Sequence, residues 1–232
     1  MKFCAVIVAA GRGVRFGRPK QLVEVAGRPL VAWSMSVFAQ MRELDDLVIA
    51  TESDHAEQMR RLAATYATRL ESTVVAGGET RQASVRLALA AIPAHCDAVL
   101  VHDGARPLVQ ADDVRAGMRA VEAGRAALLA EPVVDTIKLL APDGHRVERT
   151  LDRRRRWAAQ TPQLATLLDL RRAHEAAQWE GFEATDDAVL LERCGVEVTV
   201  VASSGENFKV TRRSDRDLAE AVLRERASLA KR

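Results

Sequence analysis

Short runs of consecutive apolar residues, rich in Val and Ile, alternate along the chain with longer stretches of helical apolar periodicity. The runs predict strands at residues 3–9, 46–51, 72–76, 98–102, 126–130 and 196–201. The periodic stretches predict helices at 29–41, 53–67, 81–92, 111–122, 165–177 and 214–230. The last of these opens with Ser214 and carries Asp217 three residues on, a pattern like a capping box. Strands without polar alternation are buried on both faces, which implies a mostly parallel sheet between helix layers, an α/β fold. No repeat and no Pro/Gly/Ser-rich linker divides the chain, so residues 1–232 read as one domain.

Residues 133–156 break this rhythm. A strand over 133–140, a turn at Pro142-Asp143-Gly144 and a returning strand over 146–151 make a ribbon. Two strands alone are marginally stable, so the ribbon needs either the parent sheet or a second subunit to pack on.

With 232 residues, 48% of them apolar, the chain can bury a substantial core. A net charge of +2 without long charge blocks argues against disorder and against a dedicated nucleic-acid binder. Most of Arg153-Arg154-Arg155-Arg156 then reads as a solvated face, with only Arg153 a functional candidate, and Trp33, Trp157 and Trp179 as packing residues. Cys4, Cys96 and Cys194 are far apart and read as small core residues of a reduced, cytoplasmic protein. The five His residues are also dispersed, and no apolar stretch reaches the roughly 18 residues of a membrane span. Only five of the 34 basic residues are Lys, which draws attention to the interior ones, Lys20, Lys138 and Lys209.

The candidate chemistry follows the strands. The first ends in Ala9-Ala10-Gly11-Arg12-Gly13-Val14-Arg15, with Pro19-Lys20-Gln21 beyond it. Small residues at the end of a buried parallel strand let main-chain N–H groups approach a ligand, and Arg15 and Lys20 add positive charge. The combination suits a polyphosphate. A dinucleotide fingerprint does not fit, because Gly17 falls one residue late and Pro19 interrupts the helix that should follow. Gly77-Gly78-Glu79-Thr80-Arg81 follows the third strand and His102-Asp103-Gly104-Ala105-Arg106-Pro107 the fourth, so both loops share the ligand edge. Asp103 suits a ribose hydroxyl or a Mg²⁺ ion there, although Asp-Gly is also a common turn.

Taken in order, Ala-Ala-Gly-x-Gly-x-Arg, Pro-Lys-Gln, Gly-Gly-x-x-Arg-x-x-Ser-Val, His-Asp-x-Ala-Arg-Pro, Asp-Thr-Ile-Lys, Asp-Arg…Trp…Gln-Thr-Pro-Gln, Thr-Asp-Asp-Ala and Lys-Val-Thr span Val8 to Arg212. This set resembles the 2-C-methyl-D-erythritol 4-phosphate cytidylyltransferase family. The resemblance implies a Rossmann-like nucleotidyltransferase domain, CTP and a polyol phosphate as substrates, Mg²⁺ as cofactor, and a homodimer built by a β-arm at about 133–156. It further implies that Ala9, Ala10, Gly11, Gly78, Ser84, Asp103 and Ala105 surround the nucleotide, and that Arg15 and Lys20 stabilise the transition state. Asp103, Arg106, Thr136, Arg153, Thr161, Thr185 and Lys209 would line the acceptor side, with Thr136 and Arg153 reaching across the dimer. Mg²⁺ would be held mainly by the CTP phosphates, with Asp103 as its candidate protein ligand. Val8, Glu79, Gly104 and Leu151 depart from the residues usual in that family, and of these Glu79 is the one whose side chain is expected to change a contact.

The chemistry implied is attack of a phosphate monoester on the α-phosphorus of CTP. Such a nucleophile is largely dianionic at neutral pH and needs no general base, only charge compensation. A cytidylyltransferase for another polyol phosphate, such as ribitol 5-phosphate, and a non-catalytic nucleotide sensor are the alternatives left open by the residues.

Overall fold

A computed structural model describes residues 1–11 and 19–229. A seven-stranded sheet forms its centre, built from β1 (Phe3–Ala9), β4 (Leu44–Thr51), β5 (Glu71–Ala76), β6 (Ala98–Asp103), β7 (Arg125–Pro132), β10 (Trp157–Thr166) and β11 (Glu197–Ala202). Their spatial order is β11-β7-β10-β6-β1-β4-β5. β10 runs antiparallel to both β6 and β7, and every other pairing in the sheet is parallel.

The two-sided burial expected from the apolar runs is visible residue by residue. Phe3, Ala5, Ile7 and Ala9 face one core, shared with Leu47, Ile49, Ala98 and Leu100. Cys4 and Val6 face the other, with Val48, Ala50, Val99 and Val101. Helices α1 (Leu30–Ala39), α2 (Ala56–Tyr66) and α4 (Ala111–Ala120) cover the first face. Helices α3 (Arg81–Ala90), α5 (Leu167–Glu180) and α6 (Asp187–Arg193) cover the second. A smaller cluster docks α7 (Arg213–Leu229) onto the short hairpin of β2 (Glu24–Val25) and β3 (Arg28–Pro29), through Val23, Val25, Leu108, Ala219 and Leu223.

Several expectations change. The helix expected from residue 165 starts at Leu167, because the preceding residues belong to β10, a strand the apolar pattern does not reveal. Its Gln160-Thr161-Pro162-Gln163 segment is polar yet buried, so no apolar signal marks it. Helix α6 is a further addition. Its start is held by Asp186, whose side chain accepts from Val189 N–H, and by Gln163 Oε1, which accepts from Asp187 and Ala188 N–H at 2.9 Å. The last helix begins at Arg213 rather than Ser214. Its first turn is tied down by Asp215, whose carboxylate accepts from the N–H groups of Thr211 and Arg212 at 2.7 and 2.8 Å.

The ribbon consists of β8 (Lys138–Leu140) and β9 (Val147–Thr150), shorter than expected and outside the central sheet. It exposes Val134, Leu140 and Val147, and Trp157 beside it is also exposed. Trp179 at the end of α5 is 91% exposed and packs little, contrary to expectation. Cys194 is likewise exposed, while Cys4 and Cys96 are buried as expected.

Candidate active site

Because β1, β4, β5 and β6 are parallel and in register, Ala9, Thr51, Ala76 and Asp103 all end at one edge of the sheet. A cavity of about 810 Å³ opens there, lined by Ala9, Ala10, Gly11, Lys20, Gly78, Ser84, Asp103, Ala105 and Lys209 among others. Every nucleotide-side residue named from the sequence is in this lining. Arg15 and the rest of residues 12–18 lie outside the described residues.

The loop between β5 and α3 is shaped by close packing. A Cβ on Gly77 would sit 2.3 Å from Ala10 Cβ and 3.0 Å from Ser84 Oγ, and one on Gly78 would sit 2.5 Å from Ala83 Cβ. Gly77 N–H donates to Thr51 C=O at 2.7 Å, and Gly78 N–H to Ser84 Oγ at 3.1 Å. The Thr80 hydroxyl accepts from Ala83 N–H, and so caps α3 at the cavity wall. On the opposite side, buried Gln21 donates from Nε2 to Ala9 C=O at 2.5 Å, pinning the segment that carries Lys20 to the end of β1. Lys20 Nζ donates to Val210 C=O at 3.2 Å, and Val210 N–H donates to Ala105 C=O at 2.9 Å. Loops far apart in sequence therefore close on one another.

A chain of charges, with buried Asp103 and Asp187 between partly exposed Lys209 and Arg81, forms the floor. Lys209 Nζ lies 2.6 Å from Asp103 Oδ2, Arg81 Nε 2.9 Å from Asp103 Oδ1, and Arg81 Nη1 2.8 Å from Asp187 Oδ2. His174 Nε2 continues the chain at 2.9 Å from Asp187 Oδ1. Burial alone would raise both carboxyl pKa values. For Asp103 the charges of Arg81 and Lys209 outweigh burial and hold it well below the usual range. Asp187 is likewise held low, by Arg81 and His174. Burial also works against the Arg81 charge, but Asp187 and Asp103 more than offset it and raise its pKa. Arg81 and Asp187 sit inside the quoted Gly-Gly-x-x-Arg and Thr-Asp-Asp-Ala segments, yet the sequence alone assigns neither a role.

Behind this floor lies a second cavity of about 170 Å³, lined by Arg106, Thr161, Thr185 and Gln163, with Arg81, Asp103 and Lys209 as the wall shared with the first. The acceptor-side residues Arg106, Thr161, Thr185, Asp103 and Lys209 thus converge. Thr136 and Arg153 do not. Both are exposed near the ribbon, where Arg153 Nη1 donates to Val134 C=O.

Thr161 and His102 have a defined pattern of donors. Arg106 C=O can only accept, so the His102 Nε2 at 3.0 Å carries the hydrogen. His102 Nδ1 then accepts from the Thr161 hydroxyl at 3.1 Å, and Thr161 Oγ1 accepts from Asp103 N–H at 3.0 Å. Burial pushes the His102 pKa down to about 4. A neutral imidazole with both nitrogens engaged is placed to orient Asp103 rather than to move protons. The Thr161 hydroxyl serves the same purpose.

Asp103 is also a poor direct ligand for Mg²⁺, since each oxygen is already held by a cation. Glu52, Asp54 and Glu79, whose carboxylates are hard oxygen donors, line the larger cavity, and among the described residues Glu52 Oε1 is buried without a hydrogen-bond partner. These donors fit a Mg²⁺ ion held chiefly by substrate phosphates.

The family profile of 2-C-methyl-D-erythritol 4-phosphate cytidylyltransferase matches residues 3–225. The chain belongs to this family. A cytidylyltransferase of that name from Halalkalibacterium halodurans is 40% identical over 97% of this chain and 99% of its own length. One from Synechococcus sp. is 42% identical over 96% and 98%. Among solved structures, the cytidylyltransferase of Thermus thermophilus superposes with a TM-score of 0.75 at 35% identity, covering 97% of this chain and all of that one. The mostly parallel α/β architecture is therefore that of a cytidylyltransferase of this family. Among the described residues, no helix is long and apolar enough to cross a membrane.

Proposed function

We propose that the chain transfers CMP from CTP to 2-C-methyl-D-erythritol 4-phosphate, giving 4-CDP-2-C-methyl-D-erythritol and pyrophosphate, in the cytoplasm. The observation that carries this reading is the pair of cavities sharing Arg81, Asp103 and Lys209 as a wall. The larger, lined by small residues and a capped helix start, suits a nucleotide. The smaller, ringed by Arg106, Thr161, Thr185 and Lys209, suits a phosphorylated polyol.

At the junction, an acceptor phosphate oxygen attacks the α-phosphorus, a new P–O bond forms, and the bond to pyrophosphate breaks. The dianionic nucleophile needs no base, in keeping with the engaged His102. The work left to the protein is to hold two anions together. Lys20 and Arg15 act on the triphosphate, and Lys209, Arg106 and Arg153 on the acceptor phosphate. Glu52, Asp54 and Glu79 would be the residues to hold Mg²⁺, which would supply further charge neutralisation. The ribbon pairs two copies of the chain, bringing Thr136 and Arg153 of one toward the acceptor cavity of the other.

A pyrophosphate-release assay with CTP, Mg²⁺ and each acceptor separately tests this. Turnover with methylerythritol phosphate well above that with ribitol 5-phosphate is expected, with a loss of about 10²- to 10³-fold in Lys20→Ala. CTP binding without pyrophosphate release from either acceptor would make the chain a nucleotide sensor and overturn the proposal.

A further inference from the structure

The sheet edge opposite the active site carries a cluster with no part in the transfer reaction. Asp46 near the start of β4, and His95 and Cys96 in the turn before β6, bring a carboxylate, an imidazole and a thiol within 4.8 Å of one another. His95 Nε2 lies 2.7 Å from Asp46 Oδ2, and Cys96 Sγ lies 3.5 Å from the same oxygen. Asp46 is 3% exposed and Cys96 5%, whereas the His95 side chain is half exposed.

Two features point to a cation. First, a buried ionised carboxylate is unfavourable unless a positive charge faces it. Among the described residues no Lys or Arg pairs with Asp46, only His95. Second, the spacing suits a metal. Bonds of about 2.0 Å to nitrogen and oxygen and 2.3 Å to sulfur place tetrahedral ligand atoms roughly 3.3–3.7 Å apart. Spreading the 2.7 Å contact and drawing the thiol and imidazole together requires side-chain rotations of about an ångström, with no change of fold.

We propose that Asp46, His95 and Cys96 bind a divalent transition-metal ion of the Zn²⁺ class, with the fourth position open to solvent beside the exposed His95 ring. One thiolate, one imidazole and one carboxylate are a donor set that favours Zn²⁺ over Mg²⁺. On binding, Cys96 releases its thiol proton to solvent and the S–metal bond replaces the S–H bond. The metal ties the 93–97 turn to β4. This site is independent of the Mg²⁺ proposed for the active site, which is bound through phosphate oxygens.

The test uses the full chain carrying Cys194→Ser, which removes the exposed thiol, after stripping with a chelator. Equilibrium dialysis against micromolar Zn²⁺ should leave one ion per chain, and Co²⁺ should give a thiolate charge-transfer band with the intense visible bands of a tetrahedral site. His95→Ala, at a half-exposed position, and Cys96→Ser, nearly isosteric, should each weaken Zn²⁺ binding by at least about tenfold while circular dichroism is unchanged. Less than half an ion per chain, an octahedral Co²⁺ spectrum without a thiolate band, or binding indifferent to both substitutions would overturn the proposal.

Discussion

Replacing Arg81 tests the charge chain most directly. Its guanidinium spans two carboxylates, at 2.9 Å from Asp103 and 2.8 Å from Asp187, and the Asp187 side chain is only 2% exposed. Arg81→Ala leaves Asp187 with His174 alone and Asp103 with Lys209 alone. Deleting one partner of a buried ion pair costs about 3–5 kcal/mol. Arg81 itself is about a quarter exposed, which places the expected loss near the lower end, about 3 kcal/mol.

The sign of the pH dependence follows from the same contacts. In the native chain both carboxyl pKa values are depressed, so their stabilisation is complete above the unfolded value of about 4 and is lost as pH falls through the lower folded values. Without Arg81, burial of Asp187 is less strongly opposed, its pKa rises, and protonation relieves the variant on acidification. The gap between native and variant should therefore be largest near neutral pH and shrink at about pH 5. Urea unfolding at both pH values measures it. Arg81→Lys, whose single ammonium reaches one carboxylate at a time, should recover about half of the loss. A deficit below about 1 kcal/mol, or one of equal size at both pH values, would refute the reasoning.

Three further outcomes are expected. Gly77→Ala forces a methyl group to 2.3 Å from Ala10 Cβ, so the nucleotide loop must shift. CTP affinity by calorimetry should fall at least about tenfold, with a stability loss of about 1–3 kcal/mol. Thr161→Val removes the acceptor for Asp103 N–H and the donor to His102 Nδ1, and should lower unfolding stability by about 1–3 kcal/mol. In that variant the acceptor KM should rise more than the CTP KM. Leu140→Asp combined with Val147→Asp charges the exposed ribbon and should yield monomers in analytical ultracentrifugation, with turnover falling alongside. An unchanged dimer, or monomers of full activity, would remove the ribbon from the proposed mechanism.

The parts of the fold legible in the sequence are those where packing alone selects residues. β1 and β6 are apolar at every position but the last two of β6, because helices cover both faces, and that pattern has one reading. β10 is illegible for the opposite reason. Its buried Gln160, Thr161 and Gln163 are selected by hydrogen bonds to Ser203, His102 and the start of α6, and those partners lie far away in sequence. The site divides the same way. Small residues and loops at strand ends mark where a ligand sits, but the Arg81–Asp187 pair joins residues 106 positions apart, and no spacing rule reaches that far.

The interior lysines show what such rules miss even where they succeed. Lys20 and Lys209 both reach the cavity, while Lys138 donates to Thr150 Oγ1 across the ribbon at 2.8 Å and belongs to the arm. Lys209 is held by Asp103, which is held in turn by Arg81, itself anchored on Asp187, and by the backbone link through Thr161 to His102. Both carboxylate oxygens of Asp103 are engaged by Lys209 and Arg81, so the pair fixes where the Lys209 ammonium points, and a fixed cation stabilises charge without reorganising during reaction.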